Sequence, residues 1–171
     1  MNFFPLKNSP KKIYEKANIM LDIYRVAFIG HREIYQFRQV EEELEKTIYD
    51  LLSKKEYVEF YVGRNGDFDI MVASAVKRVQ KSFGNHNSSL ILVLPYKMKD
   101  LEFYEEFYDE VILPLAPTTH FKSAITKRNE WLVENSELLI AYVLTESGGA
   151  YQCVKKAQQH SREILYLCRD S

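Results

Sequence analysis

Tyr24-Arg25-Val26-Ala27-Phe28-Ile29-Gly30-His31-Arg32 decides the fold. Its first six residues are a near-continuous apolar run broken only by Arg25, the pattern of a parallel strand buried on both faces. The run ends in a glycine and two side chains able to bond a phosphate or a ribose hydroxyl. The pattern recurs twice. Tyr57–Val62 runs into Gly63-Arg64-Asn65-Gly66-Asp67, and Leu138–Leu144 is followed by Ser147-Gly148-Gly149. The chain has six glycines, and five of them lie in these turns. Adjacent glycines let a ligand approach the backbone closely. Ligands of open α/β sheets bind at the carboxyl ends of the strands, against helix N-termini that favour anions. The three turns therefore predict one shared pocket.

Between the strands the apolar period changes from two to 3.6. Val40, Leu44, Ile48, Leu51 and Leu52 predict a helix over 36–54. Phe68, Val72, Ala75, Val76, Val79 and Phe83 predict another over 67–83, stopped by Gly84-Asn85. Further strands are expected at Ser89–Leu94, Glu110–Leu113 and Ile164–Cys168. Further helices are expected at Leu101–Tyr108, at 120–135 with Ile125, Trp131 and Leu132, and at 149–160 with Ala150, Cys153, Val154 and Ala157. Residues 1–10 read as an irregular lead-in, followed by a short helix carrying Ile13, Ala17, Met20 and Leu21. Met1 and Met20 are alternative starts. Alternating strands and helices predict an α/β three-layer sandwich: a mainly parallel five- or six-stranded sheet with helices on both faces. A single domain is expected over 1–171, with residues 1–22 as an N-terminal extension and the core over about 23–169.

Composition narrows the function classes. At 171 residues, 46% hydrophobic and 27% charged, the chain is ordinary for a globular domain. A net charge of −1 argues against a nonspecific nucleic-acid coat, which needs a basic excess. Cys153 and Cys168 belong to no CxxC or His/Cys cluster, so neither a disulfide framework nor a metal site is indicated. They read as reduced structural thiols of a cytoplasmic protein. No apolar run approaches the ~20 residues of a membrane span. The N-terminus, with Lys7, Lys11, Lys12, Glu15 and Lys16 among short apolar pieces, lacks a signal-peptide core.

The candidate site residues each have a plainer reading. Gly30-His31-Arg32 matches neither G-x-G-x-x-G nor the P-loop pattern, and Arg32 at its plainest pairs with a surface carboxylate. Asp67 and Asp69 both sit where a carboxylate complements a helix dipole, which suffices for Asp67. Asp69 also suits a general base or a ribose-hydroxyl acceptor in a cleft. Lys127-Arg128-Asn129 covers more than half a helical turn, so at least one of the three faces inward. Arg128 lies one turn before Leu132, and its long stem suits an apolar face with the head in the cleft. Ser147-Gly148-Gly149 reads either as a capped turn or as an anion-binding nest of backbone N–H groups.

Taken together, FIGHR, VGRNGDFD, TKRNEWLVENSELLIAYV and ESGGAY resemble the SLOG superfamily, in particular its YpsA-like branch. The likeness covers about residues 24–168 in motif order and spacing. It implies a Rossmann-like fold and a nucleotide or nucleotide-derived ligand, as in relatives that include the LOG phosphoribohydrolases and the DNA-processing protein DprA. The implied pocket residues are Gly30, Arg32, Gly63, Gly66, Asp69, Arg128, Ser147, Gly148 and Gly149, to which the reading of the residues adds His31 and Arg64. A homodimer is implied, and no cofactor is called for. The chain departs from LOG hydrolases at Ser147-Gly148-Gly149-Ala150-Tyr151-Gln152-Cys153, which lacks their Thr and catalytic Glu. N-glycosidic cleavage needs a carboxylate, and Asp69 and Glu146 are the only obvious substitutes.

Three functions compete. The first is binding or sensing of a nucleotide-derived ligand of ADP-ribose or NAD type, with Arg32 and Arg128 as phosphate partners. The second is an N-glycosidic hydrolase or transferase with Asp69 as its carboxylate. The third is a protein-interaction or DNA-linked regulator using Phe103, Tyr104, Phe107 and Tyr108. The acidic residues around that patch make it a poor nucleic-acid surface, and a half-buried amphipathic segment explains it as well. The expected partner is a small molecule rather than a membrane or a nucleic acid.

Overall fold

The computed structural model describes residues 2–5 and 10–169, and for 2–5 and residue 10 the backbone only. The elements in chain order are β1 (Asn2–Pro5), α1 (Pro10–Lys16), β2 (Ile23–Gly30), α2 (Phe37–Lys54), β3 (Tyr57–Val62), α3 (Asp67–Phe83), β4 (Ser88–Val93), α4 (Leu101–Phe107), β5 (Glu110–Leu113), α5 (Phe121–Glu134), β6 (Leu138–Tyr142), α6 (Gly148–Gln159) and β7 (Glu163–Tyr166). One sheet holds all seven strands in the order β1-β5-β4-β3-β2-β6-β7. β2 to β7 form the expected parallel sheet. The seventh strand is an addition to it: β1 pairs antiparallel with β5, Asn2 opposite Leu113. The irregular lead-in expected over 1–10 is thus a strand at 2–5, while Met1, Lys7 and the rest of 6–9 lie outside the described residues.

Strand alternation divides the core. Val26, Phe28, Val58, Phe60, Val62, Leu90 and Leu92 pack against α2, α3 and α4 on one face. Ala27, Ile29, Tyr61, Ile91 and Val93 pack towards α5 and α6 on the other. α2 buries Val40, Leu44, Ile48 and Leu52 at four-residue spacing, and α3 begins and ends where its stripe and Gly84 place it.

The other differences have local causes. β6 stops at Tyr142, two residues early, because the Leu144 and Thr145 N–H groups turn to the His31 ring. β7 stops before Cys168, which has φ 53° and donates its N–H to Glu43 at 2.9 Å. α1 ends before Ala17, and Ile13 and Met20 are exposed, so the stripe expected there is not buried. α4 buries Leu101 and Tyr104 and exposes Phe103 and Phe107, an amphipathic segment.

At the amino ends of the strands, Glu59 of β3 is 2% exposed and paired three ways. Lys11 reaches it at 2.5 Å and Arg25 at 3.4 Å, and the Tyr61 hydroxyl donates at 2.8 Å. A buried charge persists when its neighbours satisfy it.

Candidate functional site

β2 has β3 on one side and β6 on the other, so the order reverses beside β2. The crevice outside the carboxyl ends of the strands at such a switch point is where open α/β sheets take ligands. A cavity of about 280 Å³ lies there, bounded by the loops after β2, β3 and β6 and by one side of α5.

Several ties hold its rim. The His31 N–H donates to the Tyr142 carbonyl at 3.1 Å. The His31 Nε2 accepts from the Leu144 N–H at 2.9 Å and the Thr145 N–H at 3.3 Å, which places the ring proton on Nδ1. Partial burial holds the imidazole below its ordinary pKa of 6.5. The Asp67 N–H donates to the Arg32 carbonyl at 2.8 Å, joining the start of α3 to the first loop. Phe68 stacks on Tyr142 at 5.8 Å between ring centres, under Gly30.

Eight of the eleven candidate residues line the cavity: Gly30, His31, Arg32, Gly66, Asp69, Arg128, Gly148 and Gly149. Three do not. Gly63 lies behind it, where a side chain would collide with the Arg128 guanidinium and the Asp69 carboxyl. Arg64 turns away and its guanidinium covers the Tyr104 ring at 4.2 Å. Ser147 is the N-cap position of α6 but makes no side-chain capping bond. The substitute carboxylate Glu146 is exposed and outside the lining.

Arg128 is the unusual member. It occupies the buried stripe of α5 between Ala124 and Leu132 and is 3% exposed. Its Nε is buried with no hydrogen-bond partner among the described residues, and no carboxylate lies within ion-pair distance of it there. Burial lowers its pKa, opposed by the more distant Asp69. Asp69 is also buried and accepts the Asn65 N–H at 2.8 Å. Burial pushes its carboxyl upward, opposed by that N–H and by Arg128.

Ile29, Asn65, Ile125, Asn129 and Ala150 complete the lining and were not singled out from sequence. Asn129 was legible only as one of three polar neighbours on a helix. Its spacing of four from Val133, a buried position, is the signal that it too faces inward. Its Oδ1 is buried and unpartnered among the described residues.

Comparison with known proteins now places the fold. No protein-family model matches the sequence, and no curated protein matches it. Solved structures do. DNA processing protein A from Streptococcus pneumoniae is similar at a TM-score of 0.65 and 15% identity, over 96% of this chain and 62% of that one. The same-named protein from Helicobacter pylori, described by its single-stranded DNA binding mode, is similar at 0.63 and 13%, over 86% and 66%. The fold of this chain, a Rossmann-like α/β sandwich, is shared with these proteins. The molybdenum cofactor carrier protein of Chlamydomonas reinhardtii is also similar, at 0.54 and 12% identity, over 84% of this chain and 75% of that one. The chain spans less than two thirds of the length of the two DNA processing proteins. At these identities the likeness speaks for the fold alone. Among the described residues no helix is long and apolar enough to cross a membrane.

Proposed function

We propose that this protein binds a nucleotide-derived small molecule, of the YpsA-like kind, through an anionic group in the cavity at the carboxyl ends of β2, β3 and β6. The observation that carries the reading is Arg128, a buried guanidinium lining the cavity with an unpartnered Nε. A buried cation without a partner is costly, and a phosphate offers it charge-assisted hydrogen bonds. The N-terminus of α6 opens on the same cavity through Gly148 and Gly149, and its free N–H groups favour the same anion. Arg32 at the mouth gives a second cation, and Asp69 gives an acceptor for a ribose hydroxyl.

Thermal shift with AMP, ADP-ribose, NAD and cyclic nucleotides tests this, because a ligand of the native state alone must raise the melting temperature. One compound is expected to stabilise the parent and to lose that effect in Arg128→Met. No shift with any compound, or equal shifts in both proteins, would overturn the reading. Incubating the hit and assaying free base then tests whether the Asp69 carboxyl turns it over.

A second reading is a contact with single-stranded DNA. It is favoured by the exposed Tyr35 and Phe37 beside the exposed Arg32 and Arg38. Aromatic rings with interleaved cations are how such strands are held, and the near-zero net charge of the whole chain does not decide against a local basic edge. Fluorescence anisotropy with an oligodeoxythymidine separates the readings: binding that persists in Arg128→Met and falls in a Tyr35/Phe37 double alanine variant favours DNA.

A further inference from the structure

We infer that a second cavity, at the amino ends of the strands, is a separate ligand site that takes a small organic cation through a primary ammonium group on the Glu110 carboxylate. This cavity has a volume of about 350 Å³ and shares no lining residue with the first. It is bounded by the sheet, by the end of α5 and by Lys11 of α1.

Sheet register brings two carboxylates to it. Glu59 stands opposite Arg25 of β2, and Glu110 stands opposite Ile91 of β4. Strand alternation puts Glu59 with Tyr61 and Glu110 with Ile112 on the face that packs towards α5 and α6. All four line the cavity.

Glu110 is the member that the chain itself does not explain. It is 4% exposed, yet its carboxyl accepts no hydrogen bond and makes no ion pair among the described residues. A glutamate is rarely buried so far without a partner. Lys11 is the cation whose charge reaches it, but that ammonium is committed to Glu59 at 2.5 Å. Arg25 is divided between Glu59 at 3.4 Å and Glu137 at 3.7 Å. Burial pushes the Glu110 carboxyl upward, Lys11 opposes this and Glu59 adds to it. An ammonium in the cavity supplies both the missing charge and N–H donors.

The other walls select an organic cation. Trp131 packs on Tyr61 with ring centres 5.3 Å apart, and both rings line the cavity with Ile91 and Ile112. Indole is the most favourable aromatic face for a cation, and the isoleucines suit an alkyl chain. A metal ion fits poorly. Hard cations take about six or more oxygen ligands, whereas among the described residues no three His, Cys, Asp or Glu are grouped to hold one. The Glu59 carboxylate is already bonded by Lys11 and the Tyr61 hydroxyl. Small-molecule sites run to roughly 300–1,000 Å³, and this cavity is at the lower end, so the ligand class is a short alkyl or aryl amine.

Trp131 is the single tryptophan of the chain, so its fluorescence reports occupancy directly. Titration with butylamine at constant ionic strength tests the inference, with 1-butanol as the uncharged counterpart and calcium chloride as the metal. Butylamine is expected to give a saturable change in the parent, with at least tenfold higher affinity than 1-butanol or calcium. In Glu110→Gln its affinity should fall at least tenfold. That variant keeps the side-chain shape and removes an unpaired buried charge, so its melting temperature should equal or exceed the parent's. No saturable change with butylamine, or an equal affinity for 1-butanol, overturns the site from the parent alone, whether or not the variant folds. A response to calcium in place of the amine overturns the ligand class. Equal butylamine affinity in parent and Glu110→Gln overturns the assignment to Glu110. Nucleotide binding at the first cavity is read separately by the thermal shifts above, so either site can fail without the other.

Discussion

Two buried charges stand at opposite ends of one sheet, and the protein treats them differently. Glu59, at the amino ends, is met by Lys11, Arg25 and the Tyr61 hydroxyl. Arg128, at the carboxyl ends, keeps a buried Nε without a partner. Both are almost fully withdrawn from water. A satisfied charge is part of the framework. An unsatisfied one facing a cavity is a cost to the empty protein that a ligand anion offsets.

Removing each charge sharpens the contrast. Glu59→Ala should lose about 2 kcal/mol of unfolding free energy in urea. That is less than the roughly 3–5 kcal/mol for breaking a fully buried pair, because Lys11 and Arg25 are partly solvated. Its ligand affinity should not change. Arg128→Met should do the reverse. Replacing an unpaired buried cation by an apolar side chain of similar length should leave stability within about 1 kcal/mol of the parent or raise it. Ligand affinity should fall about 30-fold, the worth of a charge-assisted hydrogen bond of roughly 2 kcal/mol. If Arg128→Met proves as destabilising as Glu59→Ala, the two charges are alike and the contrast fails.

The glycines extend the comparison to the backbone. A β-carbon on Gly66 would lie within 2.9 Å of the Arg32 carbonyl oxygen, and backbone cannot step aside. Gly66→Ala should cost about 2 kcal/mol by overpacking, read as a lower urea midpoint. Gly149 is in the first turn of α6 with room for a methyl group. Gly149→Ala should be neutral or gain up to about 1 kcal/mol while weakening the ligand where α6 begins at the cavity.

The smallest expected effect concerns pH. The folded pKa of His31 is depressed, so the unfolded chain takes up the proton more readily. The stability that the neutral ring contributes is present above pH 6.5 and is lost as pH falls through the folded value. Protonation also removes the Nε2 acceptor of the Leu144 and Thr145 N–H groups. The melting temperature should therefore drop between pH 7 and pH 5, and His31→Gln should flatten that part of the profile.

Much of this molecule was legible in the chain. Apolar runs ending in glycine placed β2, β3 and β6, because a parallel strand buried on both faces admits few polar residues. Four-residue spacing placed α2 and α3, because only one stripe of each meets the sheet. Arg128 could be read as facing inward from its distance to Leu132. The strand at 2–5 escaped notice because an edge strand needs only backbone pairing, which four residues with a proline do not advertise. Gly63 and Gly66 read the same as Gly148 and Gly149, yet the first pair admits the chain's own Arg128, Asp69 and Arg32 and the second faces open space. Sequence spacing along one element cannot tell what a distant element brings to the same point.

By itself, then, the sequence determined the layers, the parallel strands and the three turns, since burial periodicity and glycine are local properties of neighbouring residues. The tertiary structure alone decided that Arg64 lies over Tyr104, that Glu59 is paired while Arg128 is not, and that Asn129 lines the cavity with its Oδ1 unpartnered. Those facts depend on which side chains from residues far apart in the chain fill the space around a buried polar atom.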